Sequence, residues 1–266
     1  MSPSDVVSTL RAAGCVFAEE EADLLRAAAT SPAELDDMVA SRVAGLPLEQ
    51  VLGWAEFCGL RILVEPTVFV PRRRTEVLAS LASGLTGERA TVVDLCCGTG
   101  ALGAVLRAAH PGIDLHAADI DPAAVRSARR NLDGQVHEGD LYNALPVRLR
   151  GNVDVLVVNA PYVPTDAIET MPPEARIHEA RVALDGGHDG LDVHRRVAAD
   201  AASWLAPGGH LLIETSEHQA PVAVGLLERA GLLASIETDD ELGATVVIGE
   251  KPVAPRDGAV PPRPAP

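Results

Sequence analysis

One stretch constrains the fold of this chain more than any other: Thr91-Val92-Val93-Asp94-Leu95, then Cys96-Cys97-Gly98-Thr99-Gly100, then Ala101 to Ala109, then Leu115-His116-Ala117-Ala118-Asp119. A β-branched apolar run reads as a buried strand, the glycine-rich stretch as a tight turn, the next stretch as a helix, and the last as a second strand ending in an acid. This is a βαβ unit, the building block of an open, doubly wound parallel sheet. Glycines at 98 and 100 allow the backbone to approach a nucleotide-like ligand, and the carboxylate of Asp119, followed by Ile120, is placed to take both hydroxyls of a ribose. Gly98-x-Gly100-x-x-Gly103 also fits the dinucleotide pattern, which alone is a weak signal. Asp94, just before the turn, would repel a diphosphate but suits an ammonium or a sulfonium. That points to S-adenosylmethionine rather than a nicotinamide dinucleotide, held by Asp94, Cys96, Cys97, Gly98, Thr99, Gly100, Asp119 and Ile120.

The chain beyond continues the same alternation. Pro122 to Leu132 reads as a helix and Val136-His137-Glu138-Gly139-Asp140 as a third strand, with Asp140 and Leu141 placed to meet the adenine amine and ring. The fourth strand, Asp154 to Val158, runs straight into Asn159-Ala160-Pro161-Tyr162. A loop opening at a strand's carboxyl end lies where open α/β sheets bind ligands. It offers the Asn159 amide, a carbonyl at Ala160 whose backbone Pro161 biases toward extended, and the face of Tyr162. Two acceptors and one stacking surface suit a planar group bearing an NH2, so these four residues are the expected catalytic set. A helix is expected over 192–205, a turn at Pro207-Gly208-Gly209, a fifth strand over 210–214, a helix over 219–230, and an antiparallel pair over 235–238 and 245–248.

Residues 1–48 look like a separate helical unit for substrate docking. Ser2-Pro3-Ser4-Asp5 and Ser31-Pro32-Ala33-Glu34 place a capping Ser before a Pro, with an acid three positions after the Ser, and Gly14 and Gly45 stop those helices. Between them 19–29 reads as a third helix with Leu24 and Leu25 facing in. Residues 49–72 have the alternation and glycines of a β-hairpin linker. Thr75 is the expected cap of a helix over 76–83, and the arginines Arg72, Arg73 and Arg74 beside it favour an anionic group or form a solvated charge run. Residues 73–251 are then the cofactor domain, and 252–266 a Pro-rich disordered tail.

Composition bounds the partners. Net charge is −16, which repels phosphate backbones, so nucleic acid is not expected as a partner. The four cysteines form no spaced framework and the eight histidines no ligand motif, so reduced thiols and no metal are expected. With no membrane-spanning apolar run and no basic leader, a cytoplasmic protein is expected.

Several separated blocks together resemble the protein N5-glutamine methyltransferases of the HemK/PrmC type, which modify release factors. They are Leu48 to Gly53 with Phe57, Val70-Pro71-Arg72 with Thr75-Glu76, Asp94 to Gly100, Asn159 to Tyr162, and Ala183 to Leu191. The resemblance implies a seven-stranded, Rossmann-like class I S-adenosylmethionine-dependent methyltransferase domain and a glutamine amide held by Asn159 and Tyr162. It also implies a protein substrate met by Pro71 and Arg72, with help from the helical unit. The chain departs from the family at three places: Ala160 stands where the family usually has proline, Cys96 replaces the first glycine of the turn, and Arg73 and Arg74 replace a neutral and an acidic residue. A small-molecule amide or amine, or a nucleic-acid base, is the alternative acceptor.

Overall fold

The computed structural model describes residues 3–253. The Ser2 cap and the Pro-rich tail beyond residue 253 lie outside them. In chain order the elements are α1 (Pro3–Ala12), α2 (Ala18–Ala28), α3 (Pro32–Val43), α4 (Leu48–Leu52), β1 (Trp54–Phe57), β2 (Leu60–Leu63), α5 (Thr75–Leu85), β3 (Thr91–Leu95), α6 (Ala101–Ala109), β4 (Asp114–Asp119), α7 (Pro122–Asn131) and β5 (Gln135–Glu138). There follow β6 (Val153–Val158), α8 (Pro173–His178), α9 (Asp192–Trp204), β7 (Leu205–Thr215), α10 (Ala220–Arg229), β8 (Leu233–Asp239) and β9 (Ala244–Glu250).

β3 to β9 form one seven-stranded sheet in the order β5-β4-β3-β6-β7-β9-β8. The first five of these are parallel neighbours, and β9 runs antiparallel to both β7 and β8. This is the doubly wound sheet that the βαβ repeat predicts, with the seven strands that the family resemblance implies. From β3 the chain winds outward through β4 and β5, then returns to lay β6 on the other side of β3, with Leu95 opposite Val158. The order reverses between β3 and β6, so the turn starting at Cys96 and the loop starting at Asn159 open side by side at the switch point, where such sheets bind ligands.

Alternation along the strands sorts the core into two layers. Val92, Val155, Val157 and Leu212 face α5, α6 and α7 through Leu78, Leu102, Leu106 and Val125. Val93, Leu95, Leu156, Val158 and Ile213 face α9 and α10 through Val197, Ala201, Ala223 and Leu227. Strands buried on both faces need no polar alternation, which is why these runs are nearly continuous Val, Leu and Ile.

Four local expectations are corrected. Leu48–Leu52, expected within the β linker, is a short helix stopped by Gly53 at φ +77. Leu24 is exposed while Leu25 is fully buried, because only one of two consecutive residues can face inward on a helix one layer thick. Thr75 does not cap the helix but is its first residue, and its hydroxyl turns to Asn159 instead. Pro207-Gly208-Gly209 is an irregularity inside β7 rather than a turn before it, tied to the chain after β9 by Gly208 N–H to Lys251 O and Lys251 N–H to Gly209 O.

Ser31 does cap α3, accepting from the Glu34 N–H, and the Glu34 carboxylate reaches back to the Thr30 N–H at 2.6 Å. The β1–β2 hairpin turns through Cys58 and Gly59, both at positive φ. α1, α2 and α3 bury Val6, Leu10, Ala18, Ala22, Leu25 and Val39 together. Arg42 on α3 is the strut between this cluster and the rest. Its Nε donates to Glu21 on α2 at 2.7 Å and its Nη1 to Glu174 on α8 at 2.6 Å. No helix among the described residues is long and apolar enough to cross a membrane.

Candidate active site

A cleft of about 530 Å3 lies over the carboxyl ends of β3, β4 and β6. Its size is that of a site for a nucleoside-sized ligand. The turn after β3 forms one wall with Cys96, Cys97, Gly98 and Thr99. Gly100 is conformationally required there: φ is +77, and an added Cβ would meet Leu132 Cδ1 at 2.9 Å. Cys96 holds φ +60 without being a glycine, a left-handed conformation that costs a β-carbon residue on the order of 1 kcal/mol. The turn is pinned from behind by Asn131 of α7, whose amide donates to Thr99 O at 2.9 Å and to Leu63 O at 2.8 Å.

Asp119 and Ile120 line the same cleft. Asp119 Oδ2 accepts from the Gly98 N–H and Oδ1 from the Asp121 N–H, each at 2.9 Å. These two bonds lock the carboxylate in place and still leave each oxygen one acceptor position for a hydroxyl. Burial raises its pKa, opposed by those same N–H groups. Further along, Asp140 and Leu141 complete the wall, with Leu141 at φ +49 and Asp140 engaged by Arg196 of α9 at 2.5 Å.

Asp94 and Gly100 do not reach the cleft wall. Asp94 shares a strand face with Val92, so its side chain is directed toward α6, behind the turn rather than into the ligand space. It is wholly buried, its Oδ2 accepts from the Gly103 N–H at 3.0 Å, and its Oδ1 has no partner. Burial pushes its pKa up to about 8. Its role is to bind the first turn of α6 beneath the glycine turn, and not to face a ligand cation as the sequence suggested.

The opposite half of the cleft is the loop after β6. Asn159, Ala160, Pro161 and Tyr162 all line it. Asn159 Nδ2 donates to Thr75 Oγ1 at 3.3 Å, which sets the amide plane and leaves Oδ1 without a protein partner. Tyr162 donates its hydroxyl to Glu214 Oε1 at 3.2 Å, and burial pushes the phenol up to about 12, so it stays protonated. Its carbonyl accepts from Gln219 Nε2 at 3.0 Å, and the same nitrogen donates to Asp189 O at 2.9 Å. Gln219 thereby fastens the loop to the 185–191 segment. Gly190 makes this possible, since a Cβ there would lie 2.2 Å from Tyr162 O. Pairing continues from Val163 N–H to Leu184 O and from Gly186 N–H to Val163 O.

Pro71 and Arg72 also reach the cleft. The Arg72 guanidinium is committed to Glu179, with Nη2 at 2.7 Å from both carboxylate oxygens, and it stands over the Phe69 ring at 4.6 Å. Burial raises the pKa of Glu179 against the lowering effect of Arg72. Arg74 lines the cleft as well, beside Tyr162, while no cleft-lining position is held by Arg73. Sequence reasoning missed Gln219, Glu179, Glu214, Asn131 and Arg196. Each acts by reaching a partner 32 or more residues away, and only Glu214, an acid at the carboxyl end of an expected strand, carried a signal that could have marked it.

A family model described as the methyltransferase small domain matches residues 59–189. A release factor glutamine methyltransferase of Geobacter sulfurreducens is 35% identical over 80% of this chain and 75% of its own length. The chain belongs to the release factor glutamine methyltransferase family. It is an S-adenosylmethionine-dependent methyltransferase, and the cleft fits that cofactor: Asp119 has acceptor capacity to spare beside a glycine turn open to a nucleoside. A relative of the same name from Deinococcus radiodurans is 38% identical over 76% of this chain and 74% of its own. A 4-amino-L-phenylalanine/4-methylamino-L-phenylalanine methyltransferase of Streptomyces pristinaespiralis is 35% identical over 73% and 69%. Among solved structures, a methyltransferase from Pyrococcus furiosus superposes with TM-score 0.56 at 16% identity, covering 82% of this chain and 98% of that one, a likeness of fold.

Proposed function

We propose that this methyltransferase acts in the cytoplasm on the side-chain amide of a protein glutamine, the Gly-Gly-Gln glutamine of a peptide chain release factor. The observation that carries the reading is the Asn159 amide: one N–H is given to Thr75, which orients the group, and its oxygen is an acceptor without a partner among the described residues, in a loop whose Ala160 and Tyr162 line the same cleft. Family membership supports it, as do the names of the relatives.

Bound S-adenosylmethionine supplies an electrophilic methyl on a sulfonium sulfur. Asp119 would hold the ribose hydroxyls, the Cys96 to Thr99 turn the methionine portion, and Leu141 with Asp140 the adenine. An amide nitrogen is a poor nucleophile because its lone pair is delocalised into the carbonyl. Asn159 Oδ1 and the Ala160 carbonyl accept its two N–H bonds, which raises electron density on nitrogen and holds it for attack. Tyr162 packs on the planar amide, and its face would favour cationic character beside it by about 0.5–2 kcal/mol. No strong base is needed, since an N-methylated, protonated amide loses its proton to water. The N-terminal helices, tied through Arg42 to the short helix α8 that precedes a cleft-lining segment, dock the protein substrate.

Labelled cofactor incubated with a Gly-Gly-Gln peptide, followed by mass spectrometry of the glutamine, tests this. Label on the glutamine nitrogen is the expected result, and no incorporation with peptide or intact release factor refutes it. A small aromatic amine is the second reading, favoured by the Streptomyces pristinaespiralis relative. Label on 4-amino-L-phenylalanine and none on the peptide would select it. A nucleic-acid base is disfavoured by the net charge of −16.

A further inference from the structure

We propose that Arg74 is a positioning residue for methyl transfer: it supplies the cation that lets the buried carboxylate of Glu214 hold the Tyr162 ring against the acceptor. Glu214, near the end of β7, is 1% exposed. Its Oε1 accepts from two donors, Arg74 Nε at 3.2 Å and the Tyr162 hydroxyl at 3.2 Å. Its Oε2 has no partner among the described residues. A buried carboxylate with one satisfied oxygen persists only beside a compensating charge, and without one it takes up a proton or rearranges.

The other groups facing Glu214 do not supply that charge. His194 of α9 meets only its main-chain carbonyl, at 3.1 Å, and burial drops this imidazole to about 4, so it is neutral. β9, paired alongside, presents Thr245, Val246 and Val247. Tyr162 is a neutral donor. Arg74 alone is left, with its guanidinium carbon 5.9 Å from the Tyr162 ring centroid and its side chain 42% exposed toward the cleft.

The three residues come from three different places: the residue before α5, the loop after β6, and the end of β7. Their meeting fixes the ring from its hydroxyl end while Gln219 fixes the same residue at its carbonyl. Remove the cation, and the buried Glu214 carboxylate is left without a compensating charge, so it no longer keeps its position under the phenol. The ring then loses its outer anchor. This inference rests on the proposed packing of the Tyr162 ring on the acceptor amide.

A charge-compensation cycle tests it. With a Gly-Gly-Gln peptide and S-adenosylmethionine, Arg74→Met lowers kcat about tenfold and leaves the cofactor Kd within about threefold, and Arg74→Gln, which keeps a donor without charge, falls with it. Arg74→Met combined with Glu214→Gln recovers most of the loss, because a neutral amide oxygen accepts from Tyr162 without needing a cation. Were Arg74 instead a handle for an acidic substrate, the second change would rescue nothing. The chain has two tyrosines, so ring-labelled carbon NMR gives two signals. Tyr142, bonded to Val197 O at 2.9 Å, is the internal control for an intact fold. The Tyr162 signal moves in Arg74→Met and returns in the double variant. A double variant no better than the single one, or an unmoved Tyr162 signal, overturns the proposal. If the wild type does not methylate the peptide, the functional reading fails while the NMR arm still decides the role of Arg74.

Discussion

Replacing Asp119 with alanine should strike cofactor binding before it strikes anything else. In the folded chain each of its carboxylate oxygens already accepts one backbone N–H, from Gly98 and from Asp121, both at 2.9 Å. Each keeps one acceptor position, and in the proposed binding mode two ribose hydroxyls fill them. Hydrogen bonds to a charged group are worth about 1.5–3 kcal/mol each, and water returns part of that in the variant, so a net loss of about 3 kcal/mol is expected, roughly a hundredfold in Kd. Alanine also leaves the Gly98 and Asp121 N–H groups without an acceptor, which loosens the turn and adds to the loss. Isothermal titration of S-adenosylmethionine into wild type and variant, at a temperature where circular dichroism shows both folded, measures it. Asp119→Asn, with one acceptor oxygen left, should fall between. A variant that binds within about threefold of wild type would show that the ribose lies elsewhere, and the cofactor half of the site would have to be redrawn.

Two further outcomes bear on the other half of the site and on stability. Asn159→Ala should lower kcat by about 100- to 1,000-fold, the scale for losing a group aimed at the reacting centre, with the cofactor Kd within a few-fold. Its only protein bond is the 3.3 Å contact to Thr75, so the fold survives, and a variant retaining a tenth of wild-type kcat would remove Asn159 from the chemistry. Asp94 has a folded pKa of about 8 against 3.8 in the unfolded chain. Between those values the folded state binds more protons than the unfolded one, so this group's contribution to stability falls as pH rises from about 4 to 8. Chemical denaturation of the cofactor-free protein across that window should show wild type losing ground to Asp94→Asn as pH increases, and parallel curves would contradict the assignment.

The sheet was legible because buried strands write themselves as unbroken Val, Leu and Ile runs, and because one glycine turn and one Asn-x-Pro-Tyr loop each begin where such a run stops. Strand ends state which residues face the crevice. The sequence could not say which side of a strand the chain's acids take once both faces are buried, and Asp94 was misplaced for that reason: no polar alternation on β3 distinguishes its two faces. Thr75 shows a second limit. A threonine at a helix start is ordinarily a cap, and only the arrival of Asn159, 84 residues later, gives its hydroxyl a different partner. Gln219 and Glu179 stayed silent because their roles exist only through contacts 57 and 107 residues away in sequence.

Arg42 has a consequence for any attempt to shorten the protein. Its guanidinium is shared between Glu21, on the second helix, and Glu174, on the short helix preceding the segment that walls the cleft. Cutting the chain after α3 would therefore strip Glu174 of its cation and let the outer rim of the reaction chamber drift, even though no catalytic atom had been deleted. The front portion behaves as a buttress, and a minimal version of this protein must keep it.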